Sequence, residues 1–133
     1  MKVKNFEKFV GQLFENIKVT APVDCDVHEL LKVEFTEDRI KPENKSKVGI
    51  RYLNNPLMIE KISYDRSYNR VVDSKIFLKV YEDCIRFFRE NTETQCFEHV
   101  PFTTIDFEDY PTQTQFMMRV AMKIQKFSME GKV

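Results

Sequence analysis

Residues 75–109 constrain the fold most strongly, because apolar and polar side chains alternate there in short runs that polar turn residues separate. Ile76, Leu78 and Val80 fall on one face of an extended chain, which is the pattern of a strand with one buried face. The acidic pair at 82–83 interrupts the alternation before it resumes. This interruption predicts either a tight hairpin or one long strand with a bulge. In both cases the segment belongs to an antiparallel sheet.

The same alternation occurs elsewhere in the chain. Strands are predicted at 29–36, 48–52 and 57–64, and Thr103, Ile105 and Phe107 are expected to line the inward face of the last clear strand. Residues 37–47 are a charged loop, and residues 65–70 form a polar connection between two strands. Together these segments predict a sheet of six or seven strands.

The N-terminal segment has the period of a helix instead. One apolar stripe is formed by Phe6, Phe9, Val10, Leu13, Phe14 and Ile17. Asn5 is a candidate N-cap, because a short polar side chain there can accept a hydrogen bond from a free backbone amide. We therefore predict an amphipathic helix that lies against the sheet.

The apolar residues of segment 112–128 recur with the period of a strand and also with the period of a helix. As a strand, the segment would bury Phe116, Met118, Val120, Met122 and Ile124. As a helix, it would bury Phe116, Met117, Val120, Ala121, Ile124 and Phe127. Met, Ala, Lys and Gln favour helices over strands, and Thr112 with Gln115 matches a capping box. A helix is the favoured interpretation.

The predicted fold class is α+β. It comprises an antiparallel sheet of about six to seven strands, either curved or closed in part into a barrel, with an N-terminal helix and a C-terminal helix. At 133 residues the chain is expected to form a single domain, 1–133. In order of elements alone, a terminal helix resembles pleckstrin-homology-like domains, whereas a terminal strand resembles a curved sheet around a helix and a cavity. No residue motif supports either family.

Charge and composition limit the partners and the location. The chain has 21 basic and 21 acidic side chains, so no net charge attracts it to nucleic acid or to anionic membranes. A protein partner is favoured over nucleic acid, and nothing opposes a homo-oligomer.

No apolar run exceeds three residues, which predicts no transmembrane segment. The start of the chain lacks the apolar stretch of a signal peptide, and a cytoplasmic protein is expected. Two Ala beside many Lys, Asn, Phe and Ile are typical of an AT-rich genome, such as that of a virus or mobile element.

The sequence contains no convincing catalytic constellation. The three cysteines lack CxxC spacing, and Cys84 and Cys96 fall in predicted strands, where cysteine is usually a small core residue. Three scattered glycines exclude the usual phosphate-binding loop. Asp24, Cys25, Asp26 and His28 include metal-ligand types without the convergent spacing of a zinc site. No enzyme activity, cofactor or metal is therefore predicted.

The best candidate for function is a loop that interleaves arginine and tyrosine. Its site residues are Tyr64, Arg66, Tyr68 and Arg70, and the charged loop before it adds Lys45 and Lys47. Arg and Tyr dominate binding hot spots because they bring area, stacking and directed hydrogen bonds. These residues predict a non-enzymatic binding module that recognises a macromolecule through its charged loops or a sheet edge.

Two alternatives stay open. The first is a small-molecule sensor with an apolar cavity between sheet and helix. The second is a Mg²⁺-dependent nuclease, because Asp73-Ser74-Lys75 with Asp65 or Glu60 resembles the acidic-x-Lys core of some restriction-type nucleases. A match of three residues is common by chance.

Overall fold

The computed structural model describes residues 2–21, 24–29, 56–93 and 96–133. The helices are α1 (Phe6–Thr20) and α2 (Gln113–Glu130), and a short 3-10 helix spans Phe107–Asp109. The strands are β1 (Cys25–Glu29), β2 (Leu57–Tyr64), β3 (Arg70–Val80), β4 (Cys84–Asn91), β5 (Cys96–His99) and β6 (Ile105–Asp106). The predicted α+β fold is confirmed: one helix precedes an open antiparallel sheet and another follows it. The strands predicted at 29–36, apart from residue 29, and at 48–52 lie outside the described residues.

The sheet has the order β1-β2-β3-β4-β5, and β6 pairs with β4. The interruption at 82–83 is a tight hairpin, because Val80 pairs with Ile85 and the amide of Tyr81 donates to the carbonyl of Cys84 at 2.8 Å. A bulge does occur, but earlier in β3. Lys61 lies opposite Ser74 and Ile62 lies opposite Val72, which leaves Asp73 as the extra residue. A bulge of this kind lets the end of the β2–β3 hairpin twist away from the rest of the sheet.

Helix α1 lies on the sheet through its predicted stripe. Phe9, Val10, Leu13 and Ile17 are buried, and Phe6 and Phe14 are half-buried. Asn5 is the N-cap residue of α1, as predicted. Its φ is 53°, however, and its side chain does not make the expected cap hydrogen bond. Asparagine is among the few residues that adopt this left-handed conformation readily, so its use here is conformational.

The C-terminal segment is the helix α2. Phe116, Val120, Ala121, Ile124 and Phe127 are buried, whereas Met118 and Met122 of the strand alternative are exposed. The Thr112 hydroxyl accepts a hydrogen bond from the amide of Gln115 at 3.1 Å, which is half of the predicted capping box. At the other end, Gly131 has a φ of 76° and its amide donates to the carbonyl of Phe127, a common helix termination.

The main core lies between the two helices and one face of the sheet. Phe116 is at its centre, stacked on Phe9 of α1 at 5.8 Å between ring centroids. Its ring also meets the edge of Phe107 at 5.4 Å, and Tyr110 lies 5.9 Å away. One side chain therefore joins both helices to the segment that follows β6.

The opposite face of the sheet carries a second, smaller apolar cluster. Met58, Phe77 and Phe88 are neighbours across three strands and share this face. Phe77 and Phe88 are buried, and Met58 and Phe97 pack against them. The outer face is therefore apolar at its centre and charged toward β1.

The last predicted strand is only partly correct. Thr103, Ile105 and Phe107 are all buried, as expected. Only Ile105 and Asp106 form a strand, however, and Phe107 begins the 3-10 helix. The Thr103 hydroxyl donates to the carbonyl of Val100 at 2.7 Å, which satisfies it inside a turn. Alternation of buried residues predicted the burial correctly but not the type of element.

We expect Phe116→Ala to lower the free energy of unfolding by about 3–5 kcal/mol, because it leaves a cavity among three aromatic rings. Chemical denaturation followed by circular dichroism measures this change. The matched control is Met122→Ala on the exposed face of α2, which should change stability by less than about 0.5 kcal/mol. Equal, small losses in both variants would contradict the central role of Phe116.

Candidate functional site

The predicted recognition loop is the tip of the β2–β3 hairpin, and Asp65 organises it. The Asp65 carboxylate accepts hydrogen bonds from the amides of Ser67 at 2.8 Å and Asn69 at 2.9 Å, and from the Asn69 side chain at 3.2 Å. The backbone closes the same turn, since the Asp65 amide donates to the carbonyl of Asn69 at 3.1 Å. A short acidic side chain is well suited to bonding its own turn in this way. The tip is therefore an ordered turn.

The tip presents its tyrosines to solvent. Tyr64 is 61% exposed and Tyr68 is 88% exposed. Tyr68 also has a φ of 61°, in the left-handed region that aromatic side chains rarely occupy. Val71 and Val72, on the strand that leaves the tip, are each 41% exposed. Tyr64 and Val72 lie on the same face of the hairpin, whereas Val71 lies on the opposite face.

Arg70 makes a structural contact that the sequence did not predict. Its Nη2 donates to Asp26 of β1 at 2.7 Å and to Glu60 of β2 at 2.9 Å. These hydrogen bonds, with the charge of both carboxylates, raise the pKa of the Arg70 guanidinium above its usual value. The guanidinium thus joins three strands, and its charge is neutralised within the sheet.

The other predicted site residues are placed differently. Arg66 lies exposed in the turn, and no ion pair connects it to another described residue. Lys45 and Lys47 lie outside the described residues. The structure thus brings together Tyr64, Arg66 and Tyr68 at the tip, and assigns Arg70 to the sheet behind it.

Sequence reasoning missed the acidic partners of Arg70. Asp26 and Glu60 are directly opposite each other in the β1–β2 register, and the His28 Nε2 lies 3.7 Å from a Glu60 oxygen. Residue 26 is 44 positions from Arg70, so only knowledge of the register could have linked them. Fully exposed Phe102, with a φ of 62° in a turn after β5, was also missed.

A pair of cations on the sheet also escaped prediction. Lys79 and Arg86 face each other across β3 and β4, and Lys79 is only 3% exposed. The Arg86 guanidinium lies 5.6 Å from the centre of the Tyr81 ring, a cation–π contact. Both cations lie on the outer face of the sheet, beside the Phe77 and Phe88 cluster.

Cys25 and Cys84 are poor nucleophiles. Burial raises the pKa of the Cys25 thiol to about 11, assisted by the charges of Asp24 and Asp26. Burial also raises the pKa of Cys84 to about 11, although Arg86 opposes the shift. Because the thiolate is the reactive form, both cysteines are poorly suited to nucleophilic catalysis at neutral pH.

The acidic residues of the nuclease alternative are engaged separately. Asp73 accepts a hydrogen bond from the Ser63 hydroxyl at 2.7 Å, while Glu60 binds Arg70. Lys75 is opposite Glu60 in the β2–β3 register. Within the described ranges, no group of three or more His, Cys, Asp or Glu side chains is arranged to hold a metal ion.

Comparison of the chain with protein-family models, curated proteins and solved structures gave no match. Of the helices that the structure describes, none is long and apolar enough to cross a membrane. The candidate site therefore depends on the geometry of the hairpin tip itself.

We expect the hydrogen bonds of the tip to respond to the titration of Asp65. Hydrogen bonds from the Asn69 amide, the Asn69 side chain and the Ser67 amide lower the pKa of Asp65 below 3.8. A lowered folded pKa means that the stabilisation is complete above the unfolded value and is lost as the pH falls through the folded value. The NMR amide shifts of Ser67 and Asn69 should therefore follow one titration below pH 3.8.

The control for this titration is Asp65→Asn. Its side-chain oxygen can still accept the two amide hydrogen bonds, so the turn should persist without the low-pH titration. Asp65→Ala should abolish both the turn and the low-pH titration. If the Ser67 and Asn69 amides titrate unchanged in the Asp65→Asn variant, another group controls the turn.

Proposed function

We propose that this protein is a non-enzymatic, intracellular binding module that recognises another protein through the tip of its β2–β3 hairpin. The observation that carries the proposal is the exposure of Tyr64 and Tyr68 on a turn that Asp65 holds by hydrogen bonds. Large exposed aromatic side chains on an ordered turn are the usual material of protein-binding hot spots.

The order of the tip supports binding because association must immobilise the contacting groups. A turn fixed by its own hydrogen bonds loses less conformational entropy when a partner docks. Tyrosine adds to this advantage, since it brings a large contact area with only two side-chain torsions. Arg70 supports the tip from behind by linking β3 to Asp26 and Glu60.

The charges at the tip indicate the chemistry of the partner. Asp65 is engaged in the turn and Arg70 is neutralised, so Arg66 is the cation directed to solvent. The complementary surface would offer apolar pockets for two tyrosines beside a carboxylate for Arg66. A nucleic-acid partner is not favoured, because the tip has one available cation and the whole chain has no net charge.

Neither alternative function gains support from the described residues. Among the described residues, large buried side chains such as Phe9, Phe87 and Phe127 lie between the helices and the sheet. The acidic residues of the nuclease hypothesis bind Ser63 and Arg70 instead of converging. Both alternatives stay predictions from the sequence.

The proposal is tested by a variant in which the tip keeps its shape but loses its contacts: Tyr64→Ala, Arg66→Ala and Tyr68→Gly. Glycine is chosen at 68 because it adopts a positive φ without strain. Affinity capture from nuclease-treated lysate of the host cell, followed by calorimetry with the purified partner, measures binding. We expect at least a roughly 30-fold loss of affinity, because each hot-spot side chain contributes about 2 kcal/mol or more.

The matched control removes comparable area from another exposed surface: Met118→Ala, Arg119→Ala and Met122→Ala on α2. It should bind the partner as the unmodified chain does. Thermal unfolding of both variants excludes loss of fold as the cause. A partner that binds the tip variant undiminished would refute the site.

A further inference from the structure

An open groove of about 840 Å³ runs between α1 and α2, on the side away from the sheet. Helix α1 lines it with Lys8, Gly11, Gln12, Glu15 and Val19, and α2 contributes Met117. The α1 positions recur at intervals of three and four, so they form one continuous face of the helix. This face is opposite to the buried stripe of α1.

No contact among the described residues explains why position 11 is a glycine. It lies in the middle of α1, where glycine is less stable than alanine because it loses more backbone freedom. A Cβ built at this position would meet nothing within 4 Å. The groove is therefore open at Gly11. A position without a side chain allows another backbone or side chain to approach closely.

The groove face of α1 is complementary to itself. Lys8 and Glu15 lie equally far from the midpoint between Gly11 and Gln12, on opposite sides of it. If a second α1 packed antiparallel about a twofold axis at that midpoint, each Lys8 would face Glu15 of the other copy. Each Gln12 would at the same time cover the open surface of the other Gly11. An isologous contact of this kind forms every pair twice.

We infer that a second copy of this chain occupies the groove, with the two α1 helices antiparallel and crossing at Gly11 and Gln12. The groove also offers apolar surface, because Val19 is 82% exposed and Met117 lines the same groove. The chain's zero net charge places no general repulsion between copies. This inference does not depend on the hairpin tip as a binding site.

Charge reversal tests the pairing, with sedimentation equilibrium of the full chain as the measurement. Lys8→Glu or Glu15→Lys alone converts two attractive pairs into two repulsive ones and should raise the dimer Kd about tenfold or more. The double variant Lys8→Glu with Glu15→Lys restores opposite charges and should return the Kd to within about threefold of the original value. This rescue is expected only where Lys8 of one copy lies beside Glu15 of the other.

The matched control is Lys126→Glu with Glu130→Lys, a charge exchange on exposed residues of α2 outside the groove. It should leave the dimer Kd unchanged. Three outcomes would overturn the inference. They are single reversals without effect, no rescue in the double variant, or a monomer at all concentrations up to about 1 mM, where even very weak complexes form.

A second variant distinguishes an effect on the dimer from an effect on the stability of the fold. Gly11→Gln fills the open position with a residue that favours helices, so thermal unfolding should occur at a higher temperature than in the unmodified chain. The same variant should shift the sedimentation profile toward monomer, because its side chain occupies the space that Gln12 of the second copy needs. A dimer that persists in Gly11→Gln would show that the groove is not the contact.

Discussion

The packing of Phe116 is the interaction on which the rest of the structure depends. It stacks on Phe9 of α1 and meets Phe107, which follows β6, so it joins the two ends of the chain above one face of the sheet. An amphipathic helix is stable in a protein mainly through burial of its apolar face. Because both helices bury that face here, their opposite faces are left to form the outer surface and the groove.

The hairpin tip depends on a different constraint, the charge contacts of Arg70. The bulge at Asp73 allows Arg70 to lie on the same face as Asp26 and Glu60, and its guanidinium binds both. A two-stranded hairpin that extends beyond a sheet has few contacts to hold it in place. The Arg70 contacts anchor this hairpin to β1, so the tip is positioned by the sheet as well as by its own turn.

The sequence predicted those features that depend on one periodic pattern. In α2 the favoured helical stripe, which includes Ala121 and Phe127, matches the buried face, and Thr112 was correctly assigned as the cap. Prediction failed where a residue's role depends on distant partners or on backbone conformation. The contact of Arg70 with Asp26 requires the register of three strands, and the left-handed φ of Asn5 replaces the side-chain cap that its residue type suggested.

Tyr68 and Gly11 each have a backbone conformation that another residue type prefers. An exposed tyrosine adopts a conformation that suits glycine, and a glycine occupies a helix interior that suits alanine. Such departures are expected at functional positions, because the rest of a stable sequence agrees with its local structure. Met117, which lines the groove, is near the start of α2. Gly131 follows the end of α2 and lies next to Ser74, beside the bulge of the β2–β3 hairpin. An 18-residue helix is about 27 Å long, so the groove and the hairpin lie toward opposite ends of α2. The groove can therefore bind a second copy while the hairpin tip stays open to a partner.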